Sequence, residues 1–495
     1  MAIPRSVRGP SLFTFSRIRA IAVITAVVLL VSITTVARAR GAERTEQAPR
    51  EKRAERLPRA TGLEAGGIQK DTWYLAEGSN NWGFHTWISI ANPNYVHLTA
   101  KVTYMTEMGP IETYVNLTCR SQINIDTEEY VGQVDFSTRV ECLEGLSIAA
   151  DRMMTWGANE GMGSHCSIGV NEPECVWYLA EGCTAGGFET WVLVQNPNDV
   201  EAYVSIDYMT EYGLETGPWI EMAPFTRQTI NVADTVADTY DVSTTVVSDQ
   251  PVIAERAMYY NARMAGHDSV GVAQPSMRWY LAEGCTAGGF ETWVLIQNPN
   301  DIEVLAAIDY LTDFGLVAGP LLSLPPYSRQ TVNVADTVET YEVSTVVYAD
   351  EPIIVERAMY GNSRAWGHDS IGMAEPHEAI LLPSGTAGSG WETWTLVQNP
   401  NDHDVDVLIE YLTAPDAGVN PYLEAVIPAN SRVSFSMGDI DWEGSYAPER
   451  RASVAVYCTS GDAIMAEQSI YYNYNGYKVA GSDTIGGYIE LEQTE

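Results

Sequence analysis

The chain has 495 residues and a formal net charge of -37, long enough for three or four domains that each bury a core. The charge is uneven: residues 1–60 carry twelve Lys and Arg against four Asp and Glu, leaving 16 basic and 61 acidic side chains for the rest. A surface so acidic repels phosphate backbones and anionic lipids, so nucleic acid is excluded as an expected partner.

In chain order, Arg5, Arg8, Arg17 and Arg19 precede an uncharged run from Ala20 to Ala37, and Ala37-Arg38-Ala39 has the small-x-small form of a cleavage site. Residues 1–39 are therefore expected to be a secretory signal, with the mature chain starting near Arg40. The alternative is an uncleaved signal anchor, because the run just reaches the length of a membrane span; Ser32, Thr34 and Thr35 dilute it. Membrane contact is expected only through this segment, if it is retained. Residues 40–70 mix Arg, Glu, Pro and Ala with few large apolar side chains, which predicts a disordered charged tether.

The remainder repeats itself. WYLAEGCTAGGFETWVLVQNPND begins at Trp177 and recurs almost unchanged at Trp279, with divergent versions at Trp73 and Ile380, giving spacings of 104, 102 and 101 residues. A period near 100 matches a whole small domain, so four repeats are expected, at 71–174, 175–276, 277–377 and 378–495. Within each, apolar residues alternate, as in Ala202, Val204, Ile206 and Tyr208, and turn signals interrupt about every ten residues. Asn-Pro-Asn-Asp at 196–199 and 298–301 predicts a type I turn, and Asp249-Gln250-Pro251 and Asp350-Glu351-Pro352 a second hairpin. Trp279 and Leu281 are expected to form a hairpin with Trp293 and Leu295 across the Gly-rich turn. Seven or so short strands without a long helix predict an all-β tandem array of four immunoglobulin-like antiparallel β-sandwiches. Tyr240 and Tyr341, with Tyr130 and Tyr446 in similar places, fit either a corner tyrosine tied to the backbone or an ordinary strand-edge residue.

The WYLAEG opening, the GGFETWVLxQNPN continuation, the ERAMYxN strand and the GHDSxG ending resemble repeat modules of secreted and surface-exposed bacterial proteins, a domain family of unassigned function. The resemblance covers residues 71 to about 490 and is strongest in the second and third copies. It implies a surface or secreted location and a β-sandwich fold, and brings no catalytic residues.

Few residues suggest chemistry. His267-Asp268-Ser269 and His368-Asp369-Ser370 hold the residue types of a hydrolase triad, but neighbours on a strand point to opposite faces and cannot meet. A hydrogen-bonding role at a turn or strand end is expected instead. Glu255-Arg256 and Glu356-Arg357 read as ion pairs with a neighbouring strand. Glu77, Glu181 and Glu283 lack a visible second carboxylate for glycoside hydrolysis. Asp439, Asp441 and Glu443, followed by Gly444, resemble the front of a calcium loop, but Arg450 stands at the twelfth position. Calcium is thus the one cofactor suggested, against a solvated acidic loop. Zinc has no Cys-x-x-Cys or His-x-His pair to support it.

The seven cysteines are odd in number, and an exported chain could pair Cys119 with Cys142 and Cys166 with Cys175. Cys183 and Cys285 share one turn position, as small loop residues or as links between chains. Trp82, Trp219, Trp366 and Trp442 lie outside the repeated positions and are the candidate glycan contacts, against a packing role. Together these readings predict a non-catalytic secreted or cell-surface rod of structural, adhesive or ligand-presenting character, with an extracellular protein or cell-wall partner. A polysaccharide-binding array is the first alternative and an extracellular hydrolase the second.

Overall fold

The backbone is almost wholly antiparallel β, because the alternating apolar residues of each segment can be buried only on one face of a strand. The computed structural model describes residues 70–157, 163–417, 419–442 and 449–488, all within one compact unit, Pro58–Glu495. The signal segment, residues 40–69 of the tether, Glu443 and Tyr446 lie outside the described residues.

The segment from Glu174 to Val270 shows the pattern. One sheet sets Glu174–Leu179 and Ala202–Thr210 on either side of the first half of the 19-residue strand Val242–Tyr260, with Gly213–Met222 outermost. The second sheet pairs the latter half of that strand with Glu189–Asn196 and Ala265–Val270, and Thr226–Asn231 adds beyond Glu189–Asn196. Trp177, Leu179, Val192, Val194, Val204, Ile206, Tyr208 and Val246 fill the space between the two sheets. The repeated Trp is anchored there by its indole: Trp73 donates to Ile148 O, Trp177 to Val252 O and Trp279 to Ile353 O, at 2.7, 2.7 and 2.9 Å.

Two predicted hairpins are corrected. Trp279 and Leu281 pair with the strand Val343–Gly361 in one sheet, whereas Trp293 and Leu295 belong to the other. The Gly-rich segment between them is a crossing from sheet to sheet. Asp249-Gln250-Pro251 likewise sits within the continuous strand Val242–Tyr260, where it passes between sheets. Proline is tolerated there because the ladder hydrogen bonds are interrupted at the crossing. The Asn-Pro-Asn motif is held by its first residue: Asn196 Nδ2 donates to the carbonyls of Val200 and Ala223, and its Oδ1 accepts from Asn198 N. Tyr240 and Tyr341 are more than half exposed, the ordinary strand-edge arrangement.

The repeats do not form a linear rod. Arg227 reaches back to Gly78 O and Phe136 O, Arg329 to Gly182 O and Tyr240 O, and Arg432 to Gly284 O and Val343 O, so each repeat docks on the one before. The last then docks on the first: Arg120 donates to Tyr457 OH and pairs with Glu410, and Asn420 Nδ2 donates to Arg120 O at 2.7 Å. Four strands, Gly163–Ile168, Ala265–Val270, Trp366–Ile371 and Tyr477–Ile485, neighbour one another in cyclic order at the centre. Residues 166–168, 268–270, 369–371 and 483–485 line one axial cavity of about 10 Å³. A space that size holds roughly one water molecule and no substrate. The expectation of a rod came from the repetition of similar domains, but closure depends on contacts between the first and last repeats.

Candidate functional site

The chemically distinctive residues meet at the interfaces between repeats. At the first interface, Arg152 is fully buried and lies among Glu77 of its own repeat and Glu255 and Asp268 of the next. Glu255 also accepts the backbone N–H groups of Ala76 and Glu77, both at 2.9 Å. His165 Nε2 meets Tyr259 OH at 3.2 Å, and that hydroxyl donates to Glu77 Oε1.

The second and third interfaces repeat this set. Arg256 meets Glu356 and Asp369, and His267 Nε2 lies 3.2 Å from Tyr360 OH. Arg357 meets Glu467 and Asp483, each at 3.0 Å, and His368 Nε2 lies 3.1 Å from Tyr471 OH.

Strand geometry explains why the residues come as adjacent pairs. Successive side chains point to opposite faces, so Glu255 faces the preceding repeat while Arg256 faces the following one. Asp268 and His267 divide in the same way. The adjacency that prevents a His-Asp-Ser triad is what lets one strand serve two interfaces. The expected turn or strand-end role of these residues is therefore corrected: they are buried links between repeats. The second carboxylates near Glu77, Glu181 and Glu283, invisible in sequence, come from the neighbouring repeat.

Electrostatics follow from burial. The guanidinium groups of Arg152, Arg256 and Arg357 are held in the charged form, since the surrounding carboxylates outweigh desolvation. Burial lowers His267 to about 4 and His368 to about 3, keeping both rings neutral near pH 7. Burial pushes the carboxyls of Asp369 and Asp483 well above the usual range, despite the adjacent Arg.

The fourth interface, where the last repeat meets the first, lacks the whole set. Ser384, Gln468 and Ser482 replace the Glu, Arg and His, and Asp151, Thr155 and Cys166 replace the Glu, Tyr and Asp. Asp151 accepts from Ser384 N at 3.0 Å and Ser384 Oγ at 2.6 Å, and Ser164 meets Ser482 at 2.7 Å. Burial raises Asp151 to about 6, since Ser384, Ser89 and the Cys166 thiol offset it only in part.

Other sequence candidates fare unevenly. Trp82 and Trp219 are 87% and 75% exposed, but Trp366 and Trp442 are buried. Trp366 packs on Phe290, His368 and Tyr471, and Trp442 on Tyr411, because both fall on core-facing positions. Asp439 and Asp441 are exposed, and neither belongs to the convergent metal-capable groups among the described residues. All seven cysteines are free thiols, so the two proposed disulfides are corrected. Cys142 stands beside Glu144 and Cys166 beside Asp151, each on a separate ladder. Cys183 and Cys285 are buried, each S–H directed at a carbonyl, which favours the small-loop-residue reading over a link between chains.

No family model and no curated protein matches the sequence. Among solved structures, Thermotoga maritima 1070 is similar at 14% identity over 20% of this chain and 94% of that one, with a TM-score of 0.18. The Anabaena sensory rhodopsin transducer is 20% identical over 17% of this chain and 79% of that one, with a TM-score of 0.15. A tetra-tandem repeat in the extending region of a large adhesion protein is 11% identical over 80% and 92% of the two chains, with a TM-score of 0.10. Scores this low carry no argument about fold or activity.

Proposed function

We propose that this chain is a non-catalytic, exported or cell-surface protein in which four immunoglobulin-like sandwiches close into a rigid scaffold for adhesion or ligand presentation. The observation that carries the reading is where the reactive residue types go: the recurring Glu, Arg, His and Asp are fully buried at interfaces between repeats. Closure also makes the scaffold stiff, because every repeat is held on two sides. The export half of the proposal rests on the arginines and uncharged run of residues 1–39 and on the resemblance to surface-protein modules.

A second reading, binding of extracellular polysaccharide, is favoured by Trp82. It adopts φ 60 at the turn position where the second and third repeats place Gly186 and Gly288. A bulky residue in the left-handed region is unusual, and such conformations concentrate at functional sites. The indole stands in solvent, suited to stacking on a sugar face.

Co-sedimentation of the purified chain with cell walls and a panel of insoluble polysaccharides tests both readings. Saturable binding to one glycan, lost in Trp82→Ala or Trp219→Ala, selects the second. Binding to walls that is abolished by protease treatment of the walls selects adhesion to protein. Turnover of any panel substrate by the chain overturns the non-catalytic reading. Intact-mass analysis of the exported chain tests the signal, with an N-terminus near Arg40 expected.

A further inference from the structure

We propose that the outer sheet of the second repeat docks an extended, lysine- or arginine-bearing segment of a partner protein, whose cationic side chain sits over Ser205 between Trp219 and Tyr203. The inference deepens the adhesive reading, since it gives the chemistry of the partner the scaffold holds, and it rests on that reading in taking the partner to be a protein.

Strand alternation builds the face. Ala202, Val204 and Ile206 point into the core, so Tyr203 and Ser205 point outward. On the outermost strand, Gly213–Met222, Trp219 stands opposite Ser205 and Glu221 opposite Tyr203; on the other side Ser205 stands opposite Val247. Trp219, Tyr203 and Val247 are all exposed, and Ser205 is the one small side chain among them. The free edge itself is poorly suited to adding a strand, because Pro218 has no N–H to offer and the register shifts between Ser205 and Asp207. Recognition therefore falls to the side chains of the face.

Charge selects the occupant. Residues 174–179, 202–210, 213–222 and 242–249, which make up this sheet, include Glu174, Asp207, Glu215, Glu221 and Asp249 and no Lys, Arg or His. Glu221, Glu201 and Asp249 stand close enough to Tyr203 to push its hydroxyl up. The arginines of the repeat are engaged elsewhere: Arg227 on carbonyls of the preceding repeat, Arg256 in the buried interface and Arg263 with Glu189. An aromatic face attracts a cation through its ring quadrupole, and carboxylates around it steer the same charge.

Two other repeats fill the same face with a cation of their own. In the first, Lys101 stands opposite Tyr114 and Glu141, as Ser205 stands opposite Trp219 and Val247, and its Nζ lies 2.7 Å from Glu112 and 4.0 Å from Glu141. In the third, Arg278 stands opposite Tyr348, its guanidinium 4.9 Å from the ring centre. Tyr348 holds the place of Val247, because it lies opposite Ala307, which lies opposite Leu321. The second repeat presents aromatic and acidic side chains but has Ser205 where Lys101 stands and Val176 where Arg278 stands. A basic side chain from a partner restores the arrangement.

The test is fluorescence anisotropy of a labelled peptide alternating lysine and threonine, titrated with the full chain, beside the same peptide with its lysines acetylated. Saturable binding of the first and none of the second are expected. Trp219→Ala, which leaves the net charge unchanged, and Glu221→Gln should each weaken binding about tenfold. Leu321→Ala and Glu303→Gln, at the matching positions of the third repeat, should leave it unaltered. No saturable binding overturns the proposal, as does equal weakening by the third-repeat variants, which would mean diffuse attraction to an acidic surface. Binding of a neutral glucan that is lost in Trp219→Ala but kept in Glu221→Gln also overturns it, by giving Trp219 to a sugar. Protein-dependent adhesion to cell walls that persists in Trp219→Ala and Glu221→Gln sinks this face while the adhesive scaffold stands; peptide binding by a chain that adheres to no wall protein upholds the face and sinks the adhesive reading.

Discussion

Three interfaces of this molecule bury the recurring Glu, Arg, His and Asp set, and the fourth has Ser384, Ser482 and Asp151 in its place with the separate Arg120–Glu410 pair beside them, although the strand neighbours at all four follow one pattern. Where Arg256 faces Glu356 and Asp369, removal of either partner strands a charge in the interior. Where Gln468 stands in the last repeat, its buried amide nitrogen and oxygen have no hydrogen-bond partner, so its removal strands no charge and no donor. The difference teaches that the charged network acts as a unit. Six positions change together at the seam, and they belong to the first and last repeats, which only closure brings into contact.

The sharpest way to break this comparison is to replace the cation. Arg256→Met leaves Glu181, Glu356 and Asp369 without their guanidinium and is expected to cost about 3–5 kcal/mol. Gln468→Met should cost under about 1 kcal/mol. Urea denaturation of the two variants measures both, and equal losses would mean the seam and the charged interfaces are held alike.

The seam should respond to pH through Asp151, raised by burial from 3.8 to about 6. A carboxyl with a raised folded pKa binds its proton more tightly in the native state. Its favourable contribution is therefore complete below about pH 3.8 and is lost as pH rises through about 6. The shift corresponds to about 3 kcal/mol. Asp151→Asn should thus be more stable than the parent at pH 8, with the advantage shrinking progressively toward pH 4; denaturant midpoints at the two pH values check this.

Arg120→Ala, which removes the guanidinium beside Glu410 and Tyr457, is expected to cost about 2 kcal/mol. It should speed hydrogen exchange in the strands Val405–Thr413 and Glu449–Cys458 before the second and third repeats respond. Uniform acceleration across all repeats would show that the seam does not open separately. The smallest effect is expected at an exposed position: Trp219→Ala should change stability by less than about 0.5 kcal/mol, while testing glycan binding directly.

Much of each repeat was legible in the chain. Alternation at Ala202, Val204, Ile206 and Tyr208 marked a strand that does bury those residues, and the repeated Trp177 and Trp279 do lie in the core. Hairpins were misread at Trp279 to Leu295 because local turn chemistry does not say whether a chain returns to its own sheet or crosses to the facing one. Trp366 and Trp442 were misjudged for a related reason: absence from a repeated position says nothing about which face of a sheet a residue occupies.

The site was legible only in fragments. Glu-Arg and His-Asp were conspicuous as repeated adjacent pairs, and the period-two rule correctly denied that they touch each other. Which residues they do touch depends on partners about a hundred positions away in the next repeat, as for Arg152 with Glu255 and His267 with Tyr360. The sequence by itself determined the antiparallel β-structure, the repeat length and the opposed directions of each charged pair, because these follow from local periodicity. Only the tertiary structure decided that the repeats close in a cycle, that the charges meet across interfaces and that one interface goes without the Glu, Arg and His set, because burial and pairing between distant segments are set by packing.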